Sequence, residues 1–166
     1  MCERDNILVK SEEGLYQAFG PITSDAIIRA AAAILHEKLT RGSRLSRPED
    51  AAHFLQMELA NEKNEHFAVL FLNNKNQVLG FERLFFGTVD GTTVHPRIVV
   101  QKALEWNAAS VILAHNHPSG HSEPSQADRD VTQQLVKALS LIDVRVLDHL
   151  VVSQSGWESL SRRGWV

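Results

Sequence analysis

The chain has a single cysteine, Cys2. One thiol cannot form an internal disulfide, which fits a reducing compartment, and Cys2 reads as an exposed terminal thiol without a role. Met1-Cys2-Glu3-Arg4-Asp5-Asn6 lacks the apolar core of a secretory signal, and no apolar run approaches the length of a membrane span. The expectation is a cytoplasmic protein with no membrane partner. Excess positive charge is also missing. Lys and Arg total 17 against 20 Asp and Glu, a net charge of −3, so no overall field draws the chain to nucleic acid. There is no internal repeat and no low-complexity tract. What remains is the 43% hydrophobic, 22% charged composition of a globular chain, and 166 residues are enough for one proper core.

The most informative stretch is His115-Asn116-His117-Pro118-Ser119-Gly120-His121-Ser122-Glu123-Pro124-Ser125-Gln126-Ala127-Asp128. It follows the apolar run 109–114, which reads as a short buried strand. Alternation along a strand sends His115 and His117 off the same face at its end. Pro118 stops the ladder, and Ser119-Gly120 turns the chain. Ser125 is a good N-cap for the next helix, and Asp128 falls in its first turn, where negative charge suits the dipole. The helix stripe is Val131, Leu135, Ala138, Leu139 and Ile142. Asp128 lies one turn before Val131, so it is aimed inward, where a carboxylate is costly without a partner. Two imidazoles and a carboxylate meeting from a strand end and a helix start suit a catalytic zinc, with three protein ligands and a fourth position open to water.

The rest of the chain supplies the frame. Residues 1–22 read as irregular, with Gly20-Pro21 as a breaker. Thr23 or Ser24 caps a helix to about Thr40, ended by Gly42, with Ile27, Ala31, Ile34 and Leu35 as its apolar stripe. Residues 1–44 thus form an N-terminal helical arm, and 45–166 the main domain. Arg41, Arg44 and Arg47 read as a solvated loop, though a basic linker can touch phosphate. Ser46-Arg47-Pro48-Glu49 is a capping box opening a helix to about Asn61, with Ala51, Ala52, Leu55 and Leu59 inward and His53 outward. His66 to Leu72 is apolar on both faces, as a central strand is. Asn73–Asn76 turns into a second strand, Val78 to Phe86, making a hairpin. Gly87 to Thr93 is a loop. Pro96 starts a helix to about Asn107, with Val99, Val100, Ala103 and Leu104 apolar, and a crossover connection is expected around it. Val144 to Ser153 is a further strand, and Ser155-Gly156 turns into a tail whose Trp157 and Trp165 read as packing anchors. The fold class is mixed α/β, a mixed sheet flanked by helices.

H-x-H, seven residues, Ser, two residues, Asp is similar to the JAMM signature of MPN-domain metalloproteases. The surrounding text resembles the RadC-like branch more closely: Asn107-Ala108-Ala109, the AHNHPSG run at 114–120, Pro124-Ser125 before Asp128, Gly87-Thr88-Val89, His95-Pro96-Arg97 and Leu147-Asp148-His149-Leu150. The match runs from about Leu45 to the C-terminus. It implies an MPN/JAMM-like sheet with a cytidine-deaminase-like layout. It also implies zinc held by His115, His117 and Asp128. Full-length RadC-like proteins carry a longer N-terminal region resembling a helix-hairpin-helix, which residues 1–44 do not show, and this departure weakens a DNA-related role without excluding one.

A zinc hydrolase needs a base beside the water it activates. Glu65 stands at the mouth of the first central strand, and Glu82 inside the second is the alternative. The resemblance places its essential Glu at the start of the strand after the first domain helix, which is Glu65. The Ser125 hydroxyl is placed to donate to an oxyanion. His95 and His149 read as structural or as supports behind the ligands, His121 as a solvated residue, and Arg97 has no assigned role. The reading is therefore a zinc-dependent hydrolase of amide or isopeptide bonds acting on a peptide or protein substrate. A zinc-bearing binding module without turnover and a DNA-repair-associated accessory protein are the alternatives. Zinc is preferred to ferrous iron by analogy with the family, since two His and a carboxylate suit both ions. The oligomeric state is not encoded in any motif.

Overall fold

Seven consecutive buried residues, Ser110–Asn116, form β5, the middle strand of the main sheet. A strand apolar on both faces must be covered on both, and the rest of the domain does this. The structure is a computed structural model that describes residues 8–11, 15–18, 20–38, 44–45, 48–88 and 92–166. It divides the chain into two compact units, residues 1–38 and 39–166.

In the larger unit, α2 (Pro48–Leu59) precedes β3 (His66–Leu72) and β4 (Val78–Phe86), which pair as the expected hairpin. Next come α3 (Pro96–Glu105), β5, α4 (Gln126–Ser140), β6 (Arg145–Ser153) and β7 (Gly156–Ser159). The strand order is β4-β3-β5-β6-β7. β5 runs antiparallel to β3 and parallel to β6, so the sheet is mixed. β4 and β5 both oppose β3 and therefore run the same way, with α3 carrying the chain across it. α4 is the crossover between the adjacent parallel pair β5 and β6.

The alternation of strand side chains splits the core into two layers. Ala51, Ala52, Leu55 and Leu59 of α2 pack with Ala68, Leu70, Ile112, Ala114 and Val152 on one face. Phe54, absent from the expected stripe, is buried with them. On the other face, Val99 and Ala103 of α3 and Leu135 and Leu139 of α4 meet Phe67, Val69, Val111 and Leu113. Fully burying a side chain of this size contributes about 1.5–3 kcal/mol.

In the larger unit three expectations need correction. β5 does not stop at Ala114; it continues through His115 and Asn116, and the next amide, that of His117, donates to Val152 O at 2.9 Å. The ladder with β6 holds the polar residues in strand geometry that their side chains alone would not favour. Residues after Ser155 are not merely a tail, because Gly156–Ser159 pairs with β6 as an edge strand too short for periodicity to reveal. Leu104 is exposed rather than apolar packing, being a further 100° round α3 from buried Ala103.

In the smaller unit, residues 1–22 are not wholly irregular: β1 (Leu8–Lys10) and β2 (Tyr16–Ala18) pair antiparallel. Helix α1 spans Ser24–Lys38, with the Thr23 hydroxyl accepting from the Ala26 amide at 3.3 Å. Ile27 of the expected stripe is exposed and Ala26 is buried. The expectations for Cys2, Thr40, Arg41, Gly42, Ser46, Arg47 and Val89 lie outside the described residues. Arg44 is described and forms an isolated bridge with Gln77. No helix among the described residues is long and apolar enough to cross a membrane.

Candidate functional site

The end of β5 and the start of α4 converge as the alternation and the helix phase require. His115 and His117 leave the same face, with their Nε2 atoms 3.0 Å apart. Asp128 Oδ1 lies 3.1 Å from His115 Nε2, and Oδ2 lies 3.6 Å from His117 Nε2. One ligand atom from each of the three residues falls within 4.8 Å of the others.

Local structure fixes each group. Gly120, at φ +86°, occupies the left-handed region and donates its amide to His117 O at 3.1 Å, closing the turn after β5. Ser125 caps α4 reciprocally with Asp128. The Ser125 hydroxyl accepts from the Asp128 amide at 3.2 Å, and the Ser125 amide and hydroxyl each donate to Asp128 Oδ2 at 2.7 Å. This leaves Oδ1 turned toward His115 Nε2. The loop between is braced from the far end of the chain. Arg163 grips Glu123 at 2.7 and 2.8 Å, and the Ser155 hydroxyl donates to Gly120 O at 2.7 Å.

Glu65 stands where β3 begins, at the rim of the same site. With His115, His117, Ser125 and Asp128 it lines a cavity of about 480 Å³. Its main chain is held by three bonds: Glu65 N to Thr88 O at 3.3 Å, Gly87 N to Glu65 O at 2.8 Å, and the Thr92 hydroxyl to Glu65 O at 3.1 Å. Asn116, buried between His115 and His117 in the chain and on the opposite face of β5, clamps the approach to β3. Its amide accepts from His66 N at 2.8 Å and donates to Asn64 O at 3.0 Å. Glu82 is engaged elsewhere, accepting from Trp106 Nε1 at 2.6 Å and lying 3.4 Å from Lys102 Nζ. Its partners are on and just after α3, and neither Arg83 nor a cross-strand residue is among them. Arg83 reaches Glu58 and Glu62 instead.

The electrostatics follow from this crowding. Burial would raise the Asp128 carboxyl, but the neighbouring imidazoles of His115 and His117 and the bond from Ser125 outweigh it and hold the group far below the carboxylate range. His117 is raised, first by its bond to Asp128 and further by the charges of Asp128 and Glu65. His149 is fully buried, and that burial, with the charge of His115 nearby, pushes it well below its ordinary range.

The donor set fits a cation. His117 Nδ1 lies 3.0 Å from His121 O, an atom that can only accept, so Nδ1 carries a hydrogen and, in the neutral ring, Nε2 a lone pair. That lone pair faces the second imidazole nitrogen and a carboxylate oxygen. Such a cluster of acceptors is favourable around a positive ion, and two His with one Asp is a set that leaves coordination positions open.

The structure brings together the five groups the sequence singled out, His115, His117, Asp128, Glu65 and Ser125, and adds Asn116, to which the sequence reading gave no role. The His121 side chain is exposed, as expected, and its carbonyl orients the His117 ring, which no side-chain pattern reveals. Asn116 did carry a signal, a polar residue at a position where the strand is covered on both faces.

A family model described as the RadC-like JAB domain matches residues 45–165. A UPF0758 protein of Vibrio cholerae serotype O1 is 51% identical over 140 residues, covering 84% of this chain and 88% of that protein. A UPF0758 protein of Alcanivorax borkumensis is 54% identical over 132 residues, covering 80% of this chain, and one of Cellvibrio japonicus 49% identical over 141 residues, covering 85%. The matched segments make up 59% and 63% of those two relatives. With a family match across nearly the whole larger unit and relatives near half identity, the chain belongs to the RadC-like JAB-domain family.

Proposed function

We propose that the protein is a zinc-dependent hydrolase of amide or isopeptide bonds in a peptide or protein substrate. The observation that carries this reading is the meeting of His115 Nε2, His117 Nε2 and the Asp128 carboxylate beside a cavity that Glu65 also lines. His115, His117 and Asp128 would hold the metal. Zinc, when bound, supplies a Lewis acid that makes water acidic near neutral pH and withdraws charge from a carbonyl.

The remaining work falls to side chains of this chain. Glu65 takes the proton from the attacking water and delivers it to the leaving amine, as a general base and then a general acid. Ser125 serves the oxyanion: rotation about its Cα–Cβ bond exchanges its hydroxyl bond to Asp128 Oδ2 for one to substrate, while its amide keeps Oδ2 satisfied. Asn116 and Thr92 fix the strand mouth from which Glu65 acts.

The test is elemental analysis joined to unbiased proteolytic profiling of the wild type and Glu65→Gln. About one zinc per chain, with chelator-sensitive cleavage in the wild type alone, is expected. Iron in place of zinc would overturn the metal assignment. Zinc without cleavage of any peptide or isopeptide would favour a binding module instead.

A further inference from the structure

We propose that Thr132 and His149 set the tautomer of His115, through a buried hydrogen-bond chain that starts at the main-chain oxygen of Asp128 and leaves the His115 Nε2 lone pair facing the cation site. The inference rests on the metal reading above and assigns two positioning residues, neither of which touches the ion.

The distances define the chain. Thr132 Oγ1 is 2.5 Å from Asp128 O and 2.5 Å from His149 Nδ1, and His149 Nε2 is 2.8 Å from His115 Nδ1. Thr132, His149 and His115 are buried, so water does not compete for these bonds. The direction of each proton follows from the first link. A carbonyl oxygen only accepts, so the Thr132 hydroxyl donates to Asp128 O. That uses the one hydrogen of the hydroxyl, so His149 Nδ1–H donates to Thr132. A neutral His149 then has its lone pair on Nε2 and accepts from His115 Nδ1–H. His115 is left with its lone pair on Nε2, 3.1 Å from Asp128 Oδ1. The direction requires a neutral His149, and its ring is fully buried, with Thr132 Oγ1 and His115 Nδ1 as its hydrogen-bond partners and no carboxylate among them.

Packing holds the rings in these positions. Phe67 lies parallel to the His115 ring, with 8° between planes, and edge-on to His149 at 5.4 Å between centroids. The chain also closes a loop. It starts at the backbone of one ligand, Asp128, and ends on the ring of another, so the first turn of α4 and the end of β5 are registered through polar atoms as well as through apolar packing. Groups behind a metal-bound imidazole commonly fix its tautomer and orientation, and losing them commonly lowers metal affinity by about 10–100-fold.

The test compares wild type, Thr132→Val and Thr132→Ser. Zinc affinity is measured by competition with a chromogenic chelator, and the His115 tautomer by ring ¹⁵N NMR of the metal-free protein at pH 8. Thr132→Val is expected to weaken zinc by about 10–100-fold and to shift the His115 hydrogen from Nδ1 to Nε2. Thr132→Ser, which restores the hydroxyl, is expected to behave as wild type in both. A merely structural role would lower the melting temperature of the Val variant without moving the ring hydrogen. Unchanged zinc affinity in a folded Thr132→Val, or a wild-type His115 with its hydrogen on Nε2, would overturn the proposal. If Thr132→Val does not fold, the wild-type spectrum decides alone. If the wild type binds no zinc, the metal reading fails, whereas an Nε2–H His115 in a zinc-binding wild type sinks only the hydrogen-bond chain.

Discussion

Against α2 the sheet presents Leu70, Ile112, Ala114 and Val152, and against α4 the next residues of the same strands include His115 and His149. Both faces are buried, and both are covered by helix. Between Ile112 and Ala114 the α2 face is held by apolar area, where any side chain of suitable volume could serve, and its polar contacts come at the strand end, through Asn116. The α4 face includes buried nitrogen and oxygen whose partners must be in place, because an unpaired polar atom costs about 1–3 kcal/mol. Within β5 residue parity separates the two apolar layers as far as Ala114, and the last two residues, His115 and Asn116, are polar on opposite faces.

The largest effect that sharpens this contrast is expected for Asp128→Ala. It removes a ligand and half of a helix cap, so zinc content by elemental analysis should fall to near zero, while the metal-free fold loses only about 1 kcal/mol in denaturant titration. Full zinc occupancy in that variant would break the ligand assignment. Glu65→Gln comes next: it should keep its zinc and lose about 10²–10⁴-fold in cleavage rate, measured on whichever peptide the wild type cuts. On the other face, Leu55→Ala should cost about 2–5 kcal/mol of stability by chemical denaturation, with zinc stoichiometry unchanged. A loss of zinc there would show that the two faces are coupled.

The smallest effect is a slope with pH. His149 is lowered, so below its ordinary value of 6.5 the unfolded chain takes a proton that the folded chain refuses. Stability of the metal-free wild type relative to His149→Gln should therefore fall as pH drops from about 6.5 to 5, by about 1.4 kcal/mol per unit for one proton. His117 has the opposite sign. Its raised value gives stability that is full below 6.5 and is lost as pH rises through the folded value. Denaturant midpoints across this range, with and without His149, separate the two.

Much of the site was legible because its signals are local. The spacing from His115 to Asp128 carries strand parity, a turn and a helix phase in fourteen residues, 115–128. Ser125 and Asp128 advertise a cap as well as a ligand. His149 was placed in the last strand as structural or as a support, but its contact with His115 depends on the β5–β6 register, which sets Leu113 opposite His149 and contains an irregularity after Val111. No local pattern encodes such a register. Edge elements failed for a different reason: Tyr16–Ala18 and Gly156–Ser159 are shorter than the window in which alternation can be seen. Glu82 could be weighed only as one of two carboxylates until Trp106 and Lys102 were found holding it.

The division of labour between the two oxygens of Asp128 has a practical consequence. Oδ2 is occupied by donors from Ser125, so the carboxylate is held in place by the protein itself and does not wait for an ion to position it. An ion binding there would enter a finished socket rather than assemble one. Stripping with a chelator should leave the fold standing and the opening intact, so that cobalt, iron or cadmium can be loaded in turn and their chemistries compared on one unchanged scaffold.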